Sequence, residues 1–262
     1  MRNPGRETTF HFKQFDVSNC LSAMKVGTDG VLLGAWAFRE GIAGGTTVTP
    51  GRILDVGCGT GLISLMMAQR FPEAHITGID IDAIAAEEAL TNFKKSPWPG
   101  RLNVISGDFN RIYAPSASES KDGQPRRPDC IVSNPPFFSN GGLSHDAARN
   151  IARHDSTLSL EMLFSTSAGI LESGGRLAAI FPAEHLDRIK FQSVLNGFEI
   201  ARLCMLHTTP QKAPRRVLCE LVKGFASHSG ASCSTEHLHI RLATGEYSDE
   251  YIRLVSPFYT KI

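Results

Sequence analysis

The sequence predicts an α/β fold: a mostly parallel sheet with helices on both faces and further elements at each end. Three observations carry this prediction. The run ILDV at 53–56 ends in glycines at alternate positions, Gly57, Gly59 and Gly61, and passes at once into an amphipathic stretch at 62–71. That is strand, tight turn and helix. Beyond it, short apolar runs alternate with helical patterns as far as residue 195, the rhythm of parallel strands joined by crossover helices. The second of these runs, HITGID at 75–80, closes on an acid, Asp80, about 20 residues past the turn.

With 42% hydrophobic and 20% charged residues in 262, the chain has the make-up of a globular protein with a well-buried core. The length fits one α/β domain, with residues 1–50 as a strand and helix extension packed on a core formed by 51–262, which carries a C-terminal appendage. No apolar run approaches the roughly 20 residues that span a bilayer, and MRNPGRETTF lacks the apolar stretch of a secretory signal, so a cytoplasmic protein is expected. The six cysteines are scattered without C-x-x-C pairs, which predicts reduced, mostly buried thiols and no metal. A net charge of +1 means that any nucleic-acid contact must come from a local basic patch.

Taken in order, residues 10–17, FHFKQFDV, alternate aromatic and polar side chains at period two, which predicts one short strand with a single buried face. The run 30–37 is apolar enough for a buried helix, with Thr28 or Asp29 as its N-cap. Lys25, Thr28 and Asp29 then stand at a polar turn, where closing over a ligand and simple capping are equally good readings. Residues 41–51 read as a linker. After the glycine turn come a helix at 62–71, a strand at 75–80, a helix at 83–95 stopped by Pro97 and Pro99, a strand at 103–107 and a short helix at 109–113. Residues 114–128 form a polar insertion whose Arg126 and Arg127 suit a solvated charge pair better than a phosphate contact. A strand at 129–133, a glycine-rich loop at 139–155, a helix at 160–171, a strand at 176–181 and a helix at 183–195 follow. Strands at 199–207 and 217–223 complete the sheet, and a strand at 237–242 with a helix at 248–255 makes the appendage.

The glycine spacing bears on the ligand. A dinucleotide site favours G-x-G-x-x-G with a pyrophosphate on the helix N-terminus, whereas here the spacing is G-x-G-x-G behind Asp55. A carboxylate beside the turn repels a pyrophosphate and suits a ligand carrying an ammonium and a sulfonium, such as S-adenosylmethionine. Asp80 suits a pair of ribose hydroxyls, and Asp108 suits either an adenine amine or a plain N-cap. The fourth strand runs into Asn134-Pro135-Pro136-Phe137. An exocyclic amine on a base is a poor nucleophile because its lone pair is delocalised into the ring. If the Asn134 amide oxygen and the Pro135 carbonyl each accept one N–H, the nitrogen is drawn toward tetrahedral geometry and its lone pair is freed. The prolines stiffen the loop so that both acceptors are already in position. Phe137 offers a stacking face for an extruded base. This chemistry needs no metal and no general base. His154 is therefore read as a substrate contact or as lid packing. Two small cationic clusters, Arg149 and Arg153 with His154, and Lys212 with Arg215 and Arg216, suit RNA phosphate and solvent equally well.

Asp55 to Gly61 together with Asp80 resemble the class I S-adenosylmethionine-dependent methyltransferases. The resemblance implies a Rossmann-like, mostly parallel seven-stranded sheet with an antiparallel last strand. The Asn134 motif resembles that of amino-methyltransferases acting on adenine N6, cytosine N4, guanine N2 or a glutamine side chain, which defines the acceptor atom and leaves the molecule open. Beyond that class, FKQFDVSN, MKVGTDGVLLGAWA, NPPF, ARHDSTLSLEML and PRRVLCELVKG resemble the bacterial tRNA1(Val) adenine-N6 methyltransferases over residues 10–258. What this implies is N6 methylation of the adenosine 3′ of the anticodon in a valine tRNA, with S-adenosylmethionine as cofactor. Asp55, Gly57, Gly59, Gly61, Asp80, Asp108 and Asn134 would bind that cofactor, together with Lys25, Thr28 and Asp29, which would lie beside both it and the target base. Asn134, Pro135, Pro136 and Phe137 would form the catalytic loop that holds the adenine. The 114–128 insertion is longer than the family's, and Phe137 stands where tyrosine is common, so a hydroxyl contact is lost there. The alternatives are a guanine-N2 rRNA methyltransferase, a protein glutamine-N5 methyltransferase and a noncatalytic RNA-binding module that retains the fold.

Overall fold

The structure, a computed structural model, describes residues 9–20, 26–39, 49–114, 127–136, 158–224 and 234–261. Its strands are β1 (Thr9–His11), β2 (Asp16–Ser18), β3 (Arg52–Val56), β4 (His75–Asp80), β5 (Leu102–Ser106), β6 (Cys130–Ser133), β7 (Arg176–Pro182), β8 (Phe198–His207), β9 (Arg216–Lys223) and β10 (Ser234–His239). The helices are α1 (Thr28–Trp36), α2 (Leu62–Arg70), α3 (Ala83–Lys95), α4 (Phe109–Ile112), α5 (Leu160–Ile170), α6 (Leu186–Leu195) and α7 (Asp249–Val255). The main sheet runs β10-β8-β9-β7-β6-β3-β4-β5. Within it β9 is antiparallel to both neighbours, and every other pairing is parallel.

Period-two alternation sorts the sheet's side chains onto two faces. Cys130 and Val132 point to one core, shared with α1, α2 and the end of α7, while Ile131 points to the other, shared with α4, α5 and α6. Strands covered on both sides must be apolar throughout, and all four residues of β6 are buried accordingly.

Three expectations are corrected. The alternating stretch at 10–17 is a hairpin, β1 against β2, because the chain reverses where the Phe12 N–H donates to the Phe15 carbonyl (2.9 Å). The two rings stack at 4.8 Å, and Phe12 also stacks on Tyr259 at 5.6 Å, so the C-terminal end holds the turn in place. The sheet has an eighth strand. The apolar run placed at 237–242 begins earlier, at Ser234, and pairs with the edge of β8 instead of standing apart. His239 lies opposite His207, after which Ile240 and Arg241 donate to the carbonyls of His207 and Thr208 and the chain turns away. Finally, α1 starts at Thr28 with Gly27 as N-cap and no side-chain capping bond.

α1 lies on one face of the sheet beside α2, with its N-terminus at the carboxyl ends of the strands, and two features lock it there. At Gly34 a Cβ would lie 2.5 Å from Met66 Sδ, so only glycine lets α1 and α2 approach this closely. At its other end the helix stops because Phe38 adopts φ 55°, costly for a bulky residue. The Phe38 N–H donates to Glu220 Oε2 (3.1 Å), which holds it in that conformation. Glu220 is fully buried on β9 and also accepts from Arg176 (2.6 Å) and Arg202 (3.0 Å). Arg202 in turn donates to the Trp36 carbonyl and stacks on that residue's ring at 3.8 Å. A second latch is the buried Asn92 of α3, whose amide bonds both backbone groups of Ser18 and the Thr60 carbonyl.

Replacing Glu220 with Ala leaves two buried guanidinium groups without their carboxylate. Chemical denaturation should show a loss of about 3–5 kcal/mol, with Glu220→Gln losing less.

Candidate functional site

β3 and β6 are adjacent and parallel with Val56 opposite Ser133, so the glycine turn and the Asn134 loop leave the sheet side by side. Ser133 Oγ donates to the Val56 carbonyl (2.8 Å) and ties the two exits together. Within the turn, the Gly57 and Cys58 N–H groups both donate to the Ile79 carbonyl, and the Gly61 N–H donates to the Cys58 carbonyl. Gly57 and Gly59 have φ of 73° and 55°, and a Cβ on either would meet no atom within 4 Å, so conformation alone demands glycine there. Gly61 adds crowding: at φ 80° its Cβ would sit 2.4 Å from the Phe93 ring. Gly61 is thus a packing residue between the turn and α3.

The N-terminus of α1 forms the facing wall. Asp29 accepts an ion-paired hydrogen bond from Arg216 Nε at 2.8 Å, with both side chains about one-third exposed. Between the walls lies a cleft of about 480 Å³, within the ~300–1,000 Å³ range of small-molecule sites. Gly57 and Gly59 form one side, Thr28, Asp29 and Arg216 the other, and Asn134, Pro135 and Pro136 the end. Pro135 is buried and Asn134 half-buried. A proline following Asn134 and another following Pro135 hold both preceding residues in extended geometry. The rigidity expected of this loop therefore has a covalent origin.

The acids differ from expectation. Asp55 does not face the cleft. It lies fully buried beneath the turn, where its Oδ2 accepts from the Ser64 N–H (3.0 Å) and Oγ (2.7 Å) and so fixes the start of α2. A short side chain on a strand buried on both faces cannot reach past the turn that follows it. Its Oδ1 is buried without a hydrogen-bond partner, and burial pushes the carboxyl up to about 7. Asp80 is half-buried at the end of β4. It accepts from the Gly59 N–H (2.8 Å) and the Asp82 N–H (2.9 Å), and burial raises its carboxyl against those donors. Asp108 caps α4 by accepting from the Asn110 N–H (2.9 Å), the plainer of its two readings. Arg127 pairs with Glu172 at 2.7 Å on the surface.

Of the cationic residues, Arg216 enters the cleft, while Lys212 and Arg215 are exposed on the β8–β9 loop. Lys25, Arg126, Phe137, Arg149, Arg153 and His154 lie outside the described residues. Sequence reasoning missed Ser64 and Gly30. A Cβ on Gly30 would come within 3.3 Å of Leu62 and 3.9 Å of the Asn134 amide, so this glycine lets α1 settle over the loop. Its only signal was a glycine inside an apolar helix. Among the described residues, no helix is long and apolar enough to cross a membrane, and no group of three or more His, Cys, Asp or Glu is placed to hold a metal ion. Four of the five described cysteines are buried, and Cys20 is exposed.

The family model described as Methyltransferase small domain matches residues 46–188. A Porphyromonas gingivalis protein named tRNA1(Val) (adenine(37)-N6)-methyltransferase is 45% identical over 251 residues, covering 96% of this chain and 94% of its own. The chain belongs to that methyltransferase family. A Bacteroides fragilis member of the same name is 38% identical, covering 97% of this chain and 98% of its own. Among solved structures, a predicted O-methyltransferase from Agrobacterium tumefaciens superposes with a TM-score of 0.64 at 20% identity, over 88% of this chain and 96% of its own. An rRNA N2 methyltransferase of T. thermophilus gives 0.51 at 18% identity, over 83% and 50%. At these identities the two structures share the fold and nothing finer. The fold is therefore the Rossmann-like one of the class I methyltransferases, as the resemblance implied.

Asp55 generates a pH prediction. Its folded-state pKa lies above the unfolded value, so its contribution to stability is whole below about pH 4 and is lost as pH rises through 7, at a cost on the order of a few kcal/mol. Asp55→Asn should flatten that dependence in the free protein, as melting temperatures between pH 5 and pH 8 would show. A parallel pH profile for both proteins would exclude it.

Proposed function

We propose that the chain transfers a methyl group from S-adenosylmethionine to the N6 amine of an adenosine beside the anticodon of tRNA1(Val). The observation that carries this reading is the Asn134 amide at the end of a cleft whose side is the glycine turn. The names of the relatives support the substrate, and a tRNA substrate supports a cytoplasmic setting.

The cleft suits the cofactor. Gly57 and Gly59 present bare backbone to a ligand, and Asp80 at the edge of the turn has carboxylate lone pairs left for ribose hydroxyls. The unpartnered Oδ1 of Asp55 gives the floor a negative potential once ionised, which favours a cation above it. When bound, S-adenosylmethionine supplies a methyl group activated on a sulfonium. Everything else falls to the protein. The Asn134 side-chain carbonyl and the Pro135 backbone carbonyl each accept one N–H of the adenine amine, drawing its lone pair out of the ring. Because the prolines hold both acceptors in place before the base arrives, little reorganisation is needed at the moment of reaction. Thr28 and Asp29 close the cleft from the α1 side, and Arg216 holds Asp29 in position. Besides capping α4, Asp108 is assigned to the adenine of the cofactor, and Phe137 to that of the substrate, by their match to the family pattern. The proton of the methylated amine leaves after transfer, so no side chain need serve as base.

Asn134→Ala should lower kcat by about 10²–10³-fold, the scale of losing one preorganised hydrogen-bonding group, while cofactor affinity by calorimetry stays within about twofold. The substrate is tested by digesting unmodified valine tRNA after incubation with labelled cofactor and separating the nucleosides. Label in N6-methyladenosine is expected. Label in N2-methylguanosine, or only in protein, would replace this reading with one of its rivals.

A further inference from the structure

A second cleft, of about 490 Å³, lies on the far side of the Asp29–Arg216 pair and shares Thr28, Asp29 and Arg216 with the first. Its other wall comes from the C-terminal part of the chain, which the proposed reaction leaves without a role. There Arg241 lies with its guanidinium 4.2 Å from the centre of the Tyr247 ring, fixed by a hydrogen bond from Nη1 to the Gly245 carbonyl (2.6 Å). Tyr247 stacks in turn on Tyr251, with ring centres 4.9 Å apart and planes within 20°. Across the cleft stands Arg215, which is exposed and whose guanidinium has no hydrogen-bond or ion-pair partner among the described residues. Among the described residues of the lining the only carboxylate is Asp29, and Arg216 engages it.

The chemistry of this lining is specific. Guanidinium groups with free donors match phosphate oxygens. A rigid stack of tyrosines faced by an arginine suits the π-face of an unpaired base. An adenosine extruded into the first cleft must bring its neighbours in the strand along, and the second cleft begins where the first ends. We propose that the second cleft receives the nucleotide next to the target adenosine, with its phosphate between Arg215 and Arg241 and its base against the Arg241–Tyr247 stack. The inference rests on the reading of the substrate as RNA.

The experiment uses the full chain and the unmodified tRNA1(Val) transcript, together with two further transcripts that are abasic at one or the other neighbour of the target adenosine. Arg241→Ala and Arg215→Ala should each raise KM for the intact transcript about tenfold and flatten the dependence of log KM on log salt by about one unit. Cofactor affinity and kcat should stay within about twofold of the parent, and Arg241→Lys should recover the salt slope. Tyr247→Leu should raise KM for the intact transcript and have no effect on one of the abasic transcripts. Variants with unchanged KM and salt slope overturn the proposal, as does a Tyr247→Leu loss of equal size on all three RNAs. Should the unsubstituted protein fail to methylate the intact transcript, the RNA reading itself falls. Turnover by the parent with indifferent variants removes the second cleft alone.

Discussion

The carboxylate of Glu220 is the interaction on which the arrangement of the site depends. It sits on β9 with no exposure to solvent and takes hydrogen bonds from strands on either side and from the backbone just beyond α1. Buried charges are costly unless their partners are complete, and here two cations and one N–H group supply them. That requirement allows only one seating of α1. Because α1 is one wall of the cleft, a charge cluster well away from the chemistry sets the width of the space in which the chemistry occurs.

The same economy governs the loops. The glycine turn is held by backbone bonds to β4 and by Asp80, and the Asn134 loop by Ser133 and its own prolines. Neither wall depends on the other being occupied. A site built in this way has its acceptors in place before substrate arrives, which is where electrostatic catalysis of an otherwise sluggish amine must come from. Asp55 departs from this pattern at the site. An acid with one oxygen unpaired in the interior is a destabilising feature, of the kind that functional sites tolerate and cores do not.

Much of this was legible in the sequence. Strand and helix alternation placed β3 to β9 within a residue or two, because each crossover unit carries its own period change and its own punctuation. The glycine turn and the Asn-Pro-Pro loop were legible for the same reason: their chemistry is local. What could not be read was relational. Nothing in FHFKQFDV says that Tyr259 will pin its middle into a turn. Nothing in a buried strand says how far an aspartate will reach, so Asp55 was assigned to the ligand when its partner is Ser64. The second wall of the cleft was half-seen, since Thr28 and Asp29 were noted but Arg216, lying 187 positions away, was read as part of an exposed patch.

The distance in sequence between α1 and its anchors bears on biosynthesis. Seven of the nine α1 residues are buried, and the groups that bury the helix end, Arg202 and Glu220, are joined to it only when the ribosome has passed the later strands. The hairpin ahead of α1 waits longer still, since its turn is held by Phe258 and Tyr259. An emerging chain must therefore carry α1 covered by α2 alone until the later strands are made. A holding chaperone on that helix, or a pause that lets the later strands catch up, would act where the chain is longest without its partners.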